Sequence, residues 1–319
     1  MIDVSIIVAT YNHVNYIKRA IDSILMQDVN FNFEVIIGED CSNDGTREYL
    51  ESIKDELPTN YTILFREHNY GAMNNFNDLY SRISGKYFIV LEGDDYWTDS
   101  NKLQLQYDFM ESNPDYIAVA HNCVVVNAEG VEVNINYPEC KKTEYSFDYY
   151  LHGILPGQTT TKLVRNYFKY DVLVDRNLDT RNFPGDQKEA FLLSVNGKVK
   201  CIQKKMSAYR LVANSGASYV ANYKYDNELN LYYWMNLYDY TIRNNLSNHI
   251  KSEIGARFFY FIIRNKGKLP DYLSTDAIKN RLNDMPYKHK IALYYFKRLV
   301  TAPFRKIKRS NSKRKKSKL

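Results

Sequence analysis

Cysteine, proline and glycine are all scarce in this chain of 319 residues. Its four cysteines (Cys41, Cys123, Cys140 and Cys201) stand singly, with no CxxC pair. That excludes a disulfide scaffold or a zinc ribbon and suits a reducing compartment. Thirteen glycines and eight prolines are too few for a fibrous or low-complexity chain. No apolar run approaches the roughly 20 residues that a membrane span needs, and FFYFII at 258–263 is far shorter. The opening MIDVSIIVATYN has an acid at position 3 and no basic run before it, so no signal peptide is expected. Acids are missing from the other end. From Lys297 onward there are eleven Lys/Arg and none, so the net charge of +6 leaves −5 for the remainder. A globally basic surface for nucleic acid is not what this distribution describes.

What is present is an ordinary globular balance, 45% hydrophobic and 25% charged, patterned as alternating strands and helices. DVSIIVAT (3–10) reads as a buried strand, and Val14, Ile17, Ile21 and Ile24 recur at helical spacing after it. FEVIIGED (33–40) is a second strand, with TREYLESIKDEL as the next helix. Tyr61–Arg66 and Lys86–Glu92 are further strands around a helix from Gly71 to Ile83. Lys102–Glu111 reads as helix and Tyr116–Val126 as a fifth strand, whose His121 is a satisfied polar side chain. Such alternation predicts βαβ units and a mostly parallel sheet, which binds ligands at the carboxyl ends of its strands. Beyond residue 127 the pattern loosens, with one apolar helix near Lys188–Val195. From Tyr223 it turns helical and aromatic, read as helix packing.

The chemically useful residues fall at strand ends. Asp94-Asp95 in LEGDDYW suits a hard divalent cation, or else caps a helix starting near Asp99 or Ser100. Asp40 opens DCSNDG with Glu51 at the twelfth position, which matches an EF-hand loop by spacing. FEVIIGE before it reads as strand, so a strand-end Asp aimed at a ligand is the better reading, with Ser42 and Asp44-Gly45 building the turn. Asp186, before an apolar helix, is a helix cap or a general base.

Together these segments resemble the family 2 glycosyltransferases, the inverting group with the GT-A fold, over residues 3 to 215. SIIVATYNHVNYIKRAIDSILMQ, IIGEDCSNDGT, REHNYGAMNNFN, LEGDDYW, and FPGDQ followed by MSAYRL match five of its motifs in order. The resemblance implies a GT-A type, mostly parallel sheet flanked by helices over 1–220, with a Rossmann-like nucleotide-binding half. A helical, aromatic-rich extension (221–304) and a disordered basic tail (305–319) would follow.

It further implies that Thr10, Tyr11 and Asn12 line a nucleotide pocket, with Asp40 on the base or ribose and Arg66, Asn69 and Gly71 nearby. Asp94 would face ribose or metal, Asp95 would be the ligand of Mn²⁺ or Mg²⁺, and Asp186 would deprotonate the acceptor. Trp97 and Arg210 are candidates for acceptor or diphosphate contacts. Two departures stand out: Glu92 replaces the motif's first Asp, and no His follows Tyr209-Arg210 by one residue.

The expected function is inverting transfer from a nucleotide-diphosphate sugar, UDP-linked, to a glycan or lipid-linked hydroxyl in surface polysaccharide synthesis. The expected location is cytoplasmic, with the basic tail at the inner, anionic membrane face. The alternatives are a non-catalytic nucleotide-sugar-binding scaffold working through that tail, and a nucleotidyltransferase. ATYNHVNYI lacks the Gly-rich, basic loop that the last would carry.

Overall fold

The computed structural model describes residues 1–167, 185–212 and 226–265, with scattered positions from 274 to 293. The basic tail, the aromatic run before it and the first residues of FPGDQ lie outside the described residues. Two compact units form, Met1–Val174 with Gly185–Tyr223, and Asp175–Pro184 with Lys224–Leu319.

In the first unit β1 (Val4–Thr10), α1 (Ile17–Leu25), β2 (Phe33–Glu39), α2 (Thr46–Ile53), β3 (Tyr61–Phe65), α3 (Ala72–Arg82) and β4 (Tyr87–Glu92) alternate as their periodicity predicts. They are followed by β5 (Tyr96–Trp97), α4 (Lys102–Ser112), β6 (Tyr116–Val126), β7 (Glu144–Tyr145) and α5 (Phe147–Leu151). A 3-10 turn (Thr159–Thr161), β8 (Leu163–Arg165), α6 (Gly185–Asn196) and β9 (Lys198–Arg210) complete it. The described strands form one sheet in the order β3-β2-β1-β4-β8-β6-β9-β5, with β7 on β9. β3, β2, β1 and β4 are mutually parallel, whereas β8 runs antiparallel to both neighbours, β4 and β6.

The parallel strands are buried on both faces, which is why they read as continuous β-branched runs. Ile6, Val8, Val35, Ile37, Ile89 and Leu91 face one core with Ile17, Ile21 and Ile24 of α1 and Leu103 and Met110 of α4. Ile7, Ile36 and Val90 face the other side, where Leu79 of α3 covers them. This two-sided burial fixes the register, because a one-residue slip would exchange the faces. The carboxyl ends of β1, β2 and β4 are thereby held side by side.

The second unit contains α7 (Asn227–Arg243) and α8 (Asn248–Arg264). Asp226 caps α7 by accepting from the Glu228 N–H at 2.7 Å, and Ser247 caps α8. The tyrosine-rich stripe is core packing here: Tyr233, Tyr238 and Tyr240 are buried, and Tyr238 stacks on Phe258 at 6.0 Å. No described helix is long and apolar enough to cross a membrane.

Candidate active site

The loops after β1 and β2 are tied together by short polar bonds. The Asn12 N–H donates to Ser42 Oγ at 3.0 Å, and the Asn43 N–H donates to Asn12 Oδ1 at 3.0 Å. Asn12 and Cys41 hold positive φ angles of 56° and 59°. Asp44 accepts from the N–H groups of Val14 and Thr46, so it serves the turn rather than a calcium ion. No helix precedes this loop, since residues 33–39 are β2.

Asp40 emerges from β2 into this corner and is buried. Its Oδ1 accepts from the Tyr70 N–H at 2.7 Å. Burial raises its pKa against the pull of the Tyr70 and Gly71 N–H groups and the Arg66 charge. Asn69 Oδ1 accepts from the Gly71 N–H at 2.7 Å and shapes the turn into α3. Arg66 is more inward than expected: its guanidinium donates to Asn75 and pairs with Asp78 at 2.7 Å. Thr10 is buried at the end of β1, and Tyr11 beside it is exposed.

The acidic loop after β4 comes down beside Thr10. A Cβ on Gly93 would stand 2.8 Å from both His13 Nδ1 and Thr10 Oγ1, so only glycine permits this approach. Neither Asp94 nor Asp95 caps a helix, because α4 begins at Lys102 and Asp99 serves its entry.

The two aspartates sit in different surroundings. Asp95 is buried with both oxygens occupied: Oδ1 accepts from the Arg210 N–H at 2.7 Å and Oδ2 from Gln158 Nε2 at 2.9 Å. Its pKa is raised well above the usual range by burial and by repulsion from Asp94 and Glu92. Asp94 is half-buried, and its carboxylate receives no hydrogen bond from the described residues. Asp94 therefore presents the open, hard oxygen donors that a divalent cation takes. Asp95 does not.

Arg210 and Trp97 also turn inward. Arg210 donates through Nε to the Asp94 carbonyl at 2.9 Å and through Nη1 to the carbonyls of Asn127 and Ala128. It is the strut that shapes the acidic loop. Trp97 is buried, donates to the Thr160 carbonyl at 3.0 Å and lies 4.1 Å from Lys102 Nζ. Both are buried.

Asp186 is the second residue of α6. Its pKa is raised by burial, with the Lys162 charge opposing. Its own charge helps lift Glu92, which burial, Asp94 and Asp186 together push up to about 7. Glu92, Asp94, Asp95 and Asp186 thus share one electrostatic neighbourhood, which also acts on Tyr209. Tyr137 stacks edge-on against Tyr209 at 5.3 Å. It opens into a cavity of about 390 Å³ that Glu132, Asn134, Asn136, Glu139 and Lys205 also line.

Gln158 and Lys162 were not legible as site residues. Gln158 Nε2 bridges Glu92 at 3.0 Å and Asp95, while Lys162 is a buried cation paired with Glu189 at 2.8 Å. A lone Gly-Gln among apolar residues in ILPGQTTTKLV was the only local sign of them.

The profile described as "Glycosyl transferase family 2" matches residues 5–165. The chain belongs to glycosyl transferase family 2. An uncharacterized protein of Mycobacterium tuberculosis is 29% identical over 206 residues, 65% of this chain and 58% of that one. The chain thus spans little more than half the length of this curated relative. The UDP-Glc:alpha-D-GlcNAc-diphosphoundecaprenol beta-1,3-glucosyltransferase WfaP of Escherichia coli is 29% identical over 202 residues, 52% of this chain and 76% of its own. Among solved structures, S. aureus TarS 1-349 in complex with UDP-GlcNAc superposes with a TM-score of 0.60 at 19% identity. That match covers 89% of this chain and 80% of the TarS 1-349 chain, and confirms the GT-A fold of this family 2 chain.

Proposed function

We propose that this family 2 chain is an inverting glycosyltransferase. It moves a sugar from a UDP-sugar to a hydroxyl of a glycan or lipid-linked acceptor in surface polysaccharide assembly. The observation that carries the reading is that the open Asp94 carboxylate and Asp186, an acid whose pKa burial has raised, both lie close enough to act on the buried Glu92. The names of WfaP and of the TarS complex support a UDP donor, and WfaP's supports a lipid-linked acceptor.

Asp40, Thr10, Tyr11, Asn12, Asn69 and Gly71 form the nucleotide corner, with the second oxygen of Asp40 available to the base or ribose. Asp94, with the donor's diphosphate, would hold Mn²⁺ or Mg²⁺, which supplies positive charge against the departing nucleoside diphosphate. Arg210, Gln158 and Asp95 keep the backbone under Asp94 in place. Asp186 accepts the proton of the acceptor hydroxyl as that oxygen attacks the anomeric carbon opposite the leaving group, which inverts the centre. A raised pKa makes it a stronger base than an ordinary aspartate. The Lys162 charge opposes that rise.

The acceptor side is the cavity beside Tyr137. Its ion pairs, Glu132–Lys205 at 3.1 Å and Glu139–Lys141 at 2.5 Å, balance the charge of its wall, which suits a neutral sugar. The run of eleven Lys/Arg from Lys297 supports contact with an anionic membrane face.

A thermal-shift panel of nucleotide sugars with and without Mn²⁺ tests the reading. A UDP-sugar should raise the melting temperature, more so with the metal present, because a ligand of the folded state alone stabilises it. No shift with any nucleotide sugar would remove the proposal.

A further inference from the structure

The four cysteines stand singly in the sequence, yet two of them meet in the fold. Cys201 lies in β9, and the segment after Cys140 enters β7, which pairs antiparallel with β9 at Glu144–Lys200 and Tyr145–Val199. The Cys201 N–H donates to the Thr143 carbonyl at 2.9 Å. Gln203 Nε2 donates to the carbonyls of both Cys140, at 3.3 Å, and Cys201, at 3.0 Å. Each thiol lies near enough to perturb the other. Their other sulfur contacts are carbonyl oxygens at 3.5 Å: Lys142 and Glu144 for Cys140, and Pro156 for Cys201. The glycosyl-transfer reading uses neither cysteine.

Both side chains are buried, but the chain on either side of Cys140 reaches the surface. Pro138 before it and Lys141 to Glu144 after it are exposed. Its neighbours Glu139 and Lys141 line the cavity beside Tyr137.

We propose that Cys140 and Cys201 are a hydroperoxide-responsive dithiol, a reversible disulfide-forming site behind the wall of that cavity. The Cys140 thiolate attacks one oxygen of hydrogen peroxide. The O–O bond breaks, the sulfur is oxidised to sulfenic acid, and the leaving hydroxide takes up a proton to become water. The Cys201 sulfur then gives up its proton and bonds to the Cys140 sulfur, expelling the sulfenic hydroxyl as a second water. Two thiols and one peroxide become one disulfide and two waters.

The environment divides these roles in the same way. The neighbouring Cys201 thiol lowers the pKa of Cys140, with burial opposing and the Lys141 and Lys142 charges helping, while Cys140 and burial raise Cys201. Cys140 is the attacking sulfur and Cys201 the resolving one. Sequence spacing hides the pair because the contact depends on β7 folding back onto β9.

The test is titration of the full chain with hydrogen peroxide, followed by intact mass and a non-reducing peptide map. The expected result is a loss of about 2 Da as two thiol hydrogens leave, with a Cys140–Cys201 linked peptide that dithiothreitol releases. The oxidised protein should also melt several degrees higher, since a cross-link between groups already in contact constrains mainly the unfolded chain. Cys201→Ser should abolish the link and leave a sulfenic acid on Cys140 that dimedone labels. The wild-type map decides alone if a serine variant fails to fold. Oxidation of the half-exposed Cys41 with Cys140 and Cys201 unlinked would overturn the proposal, as would a link from either of them to Cys123.

Discussion

On the β1–β4 side of the sheet, functional groups are held by bonds between adjoining loops. Asp40 is fixed by the Tyr70 N–H, Asn12 by Ser42 and Asn43, and Asn69 by Gly71. On the β6–β9 side, the acidic loop is held by residues far away in sequence: Gln158 from the 3-10 turn and Arg210 from the end of β9. The first side inherits its geometry from strand register. The second depends on a few buried polar bonds, each of which leaves a partner stranded when cut. The difference predicts that damage on the nucleotide side affects binding, whereas damage around Asp95 affects the fold.

The largest expected effect is on turnover. Asp186→Asn keeps the shape and removes the proton acceptor, so kcat should fall by about 10²–10⁴-fold with donor affinity near normal. Steady-state kinetics beside UDP-sugar titration checks the split. Loss of folding without a separate catalytic defect would return Asp186 to a structural role.

Next come the two buried aspartates, one from each side. Asp95→Ala strands the Arg210 N–H and the Gln158 amide, and should cost about 2–4 kcal/mol of stability. Asp40→Ala strands only the Tyr70 N–H and should cost about 1 kcal/mol, with its main effect on nucleotide binding. Urea unfolding of both compares them. Equal costs would break the contrast between the two sides.

Glu92 sharpens it through pH. Its folded pKa of about 7 lies above its ordinary value near 4.5, so the folded state binds more protons between the two. Stability should therefore fall as pH rises from about 4.5 to 7. Glu92→Gln still accepts from Gln158, and should flatten that slope and gain about 1–2 kcal/mol at pH 8. Unfolding free energies of both proteins across this pH range test the sign.

The smallest effect is expected under the β5 corner. Lys102 is fully buried and its Nζ has no hydrogen-bond partner among the described residues, though it lies over the Trp97 ring. Lys102→Met keeps the stem and removes the stranded amine, so stability should rise by about 1 kcal/mol. A lower melting temperature would mean that the ring contact outweighs the desolvation.

Much of the first side was legible because burial on both faces writes continuous β-branched runs, as in VSIIVAT and YFIVLE, and strand ends then mark the site. The other side was read poorly for a physical reason. β5 and β7 are two residues long and β8 three, too short to show a period. Beyond the Gly157-Gln158 step, nothing near Gln158 in sequence signals that it will reach Asp95. Adjacent Asp94 and Asp95 look alike in sequence, and only the positions of Arg210 and Gln158 distinguish them. For Trp97 and Arg210 the sequence leaves two readings open, because aromatic and basic residues beside acids suit sugars and phosphates as well as they suit a core.

That difference between neighbouring aspartates is the centre of the account. Isothermal titration of UDP into wild type, Asp94→Ala and Asp95→Asn, each with and without Mn²⁺, measures it most directly. The Mn²⁺-dependent gain in affinity should vanish in Asp94→Ala while its melting temperature stays near wild type. Asp95→Asn should keep the gain and melt lower. A gain that survives in Asp94→Ala and is lost in a stably folded Asp95→Asn would contradict the assignment.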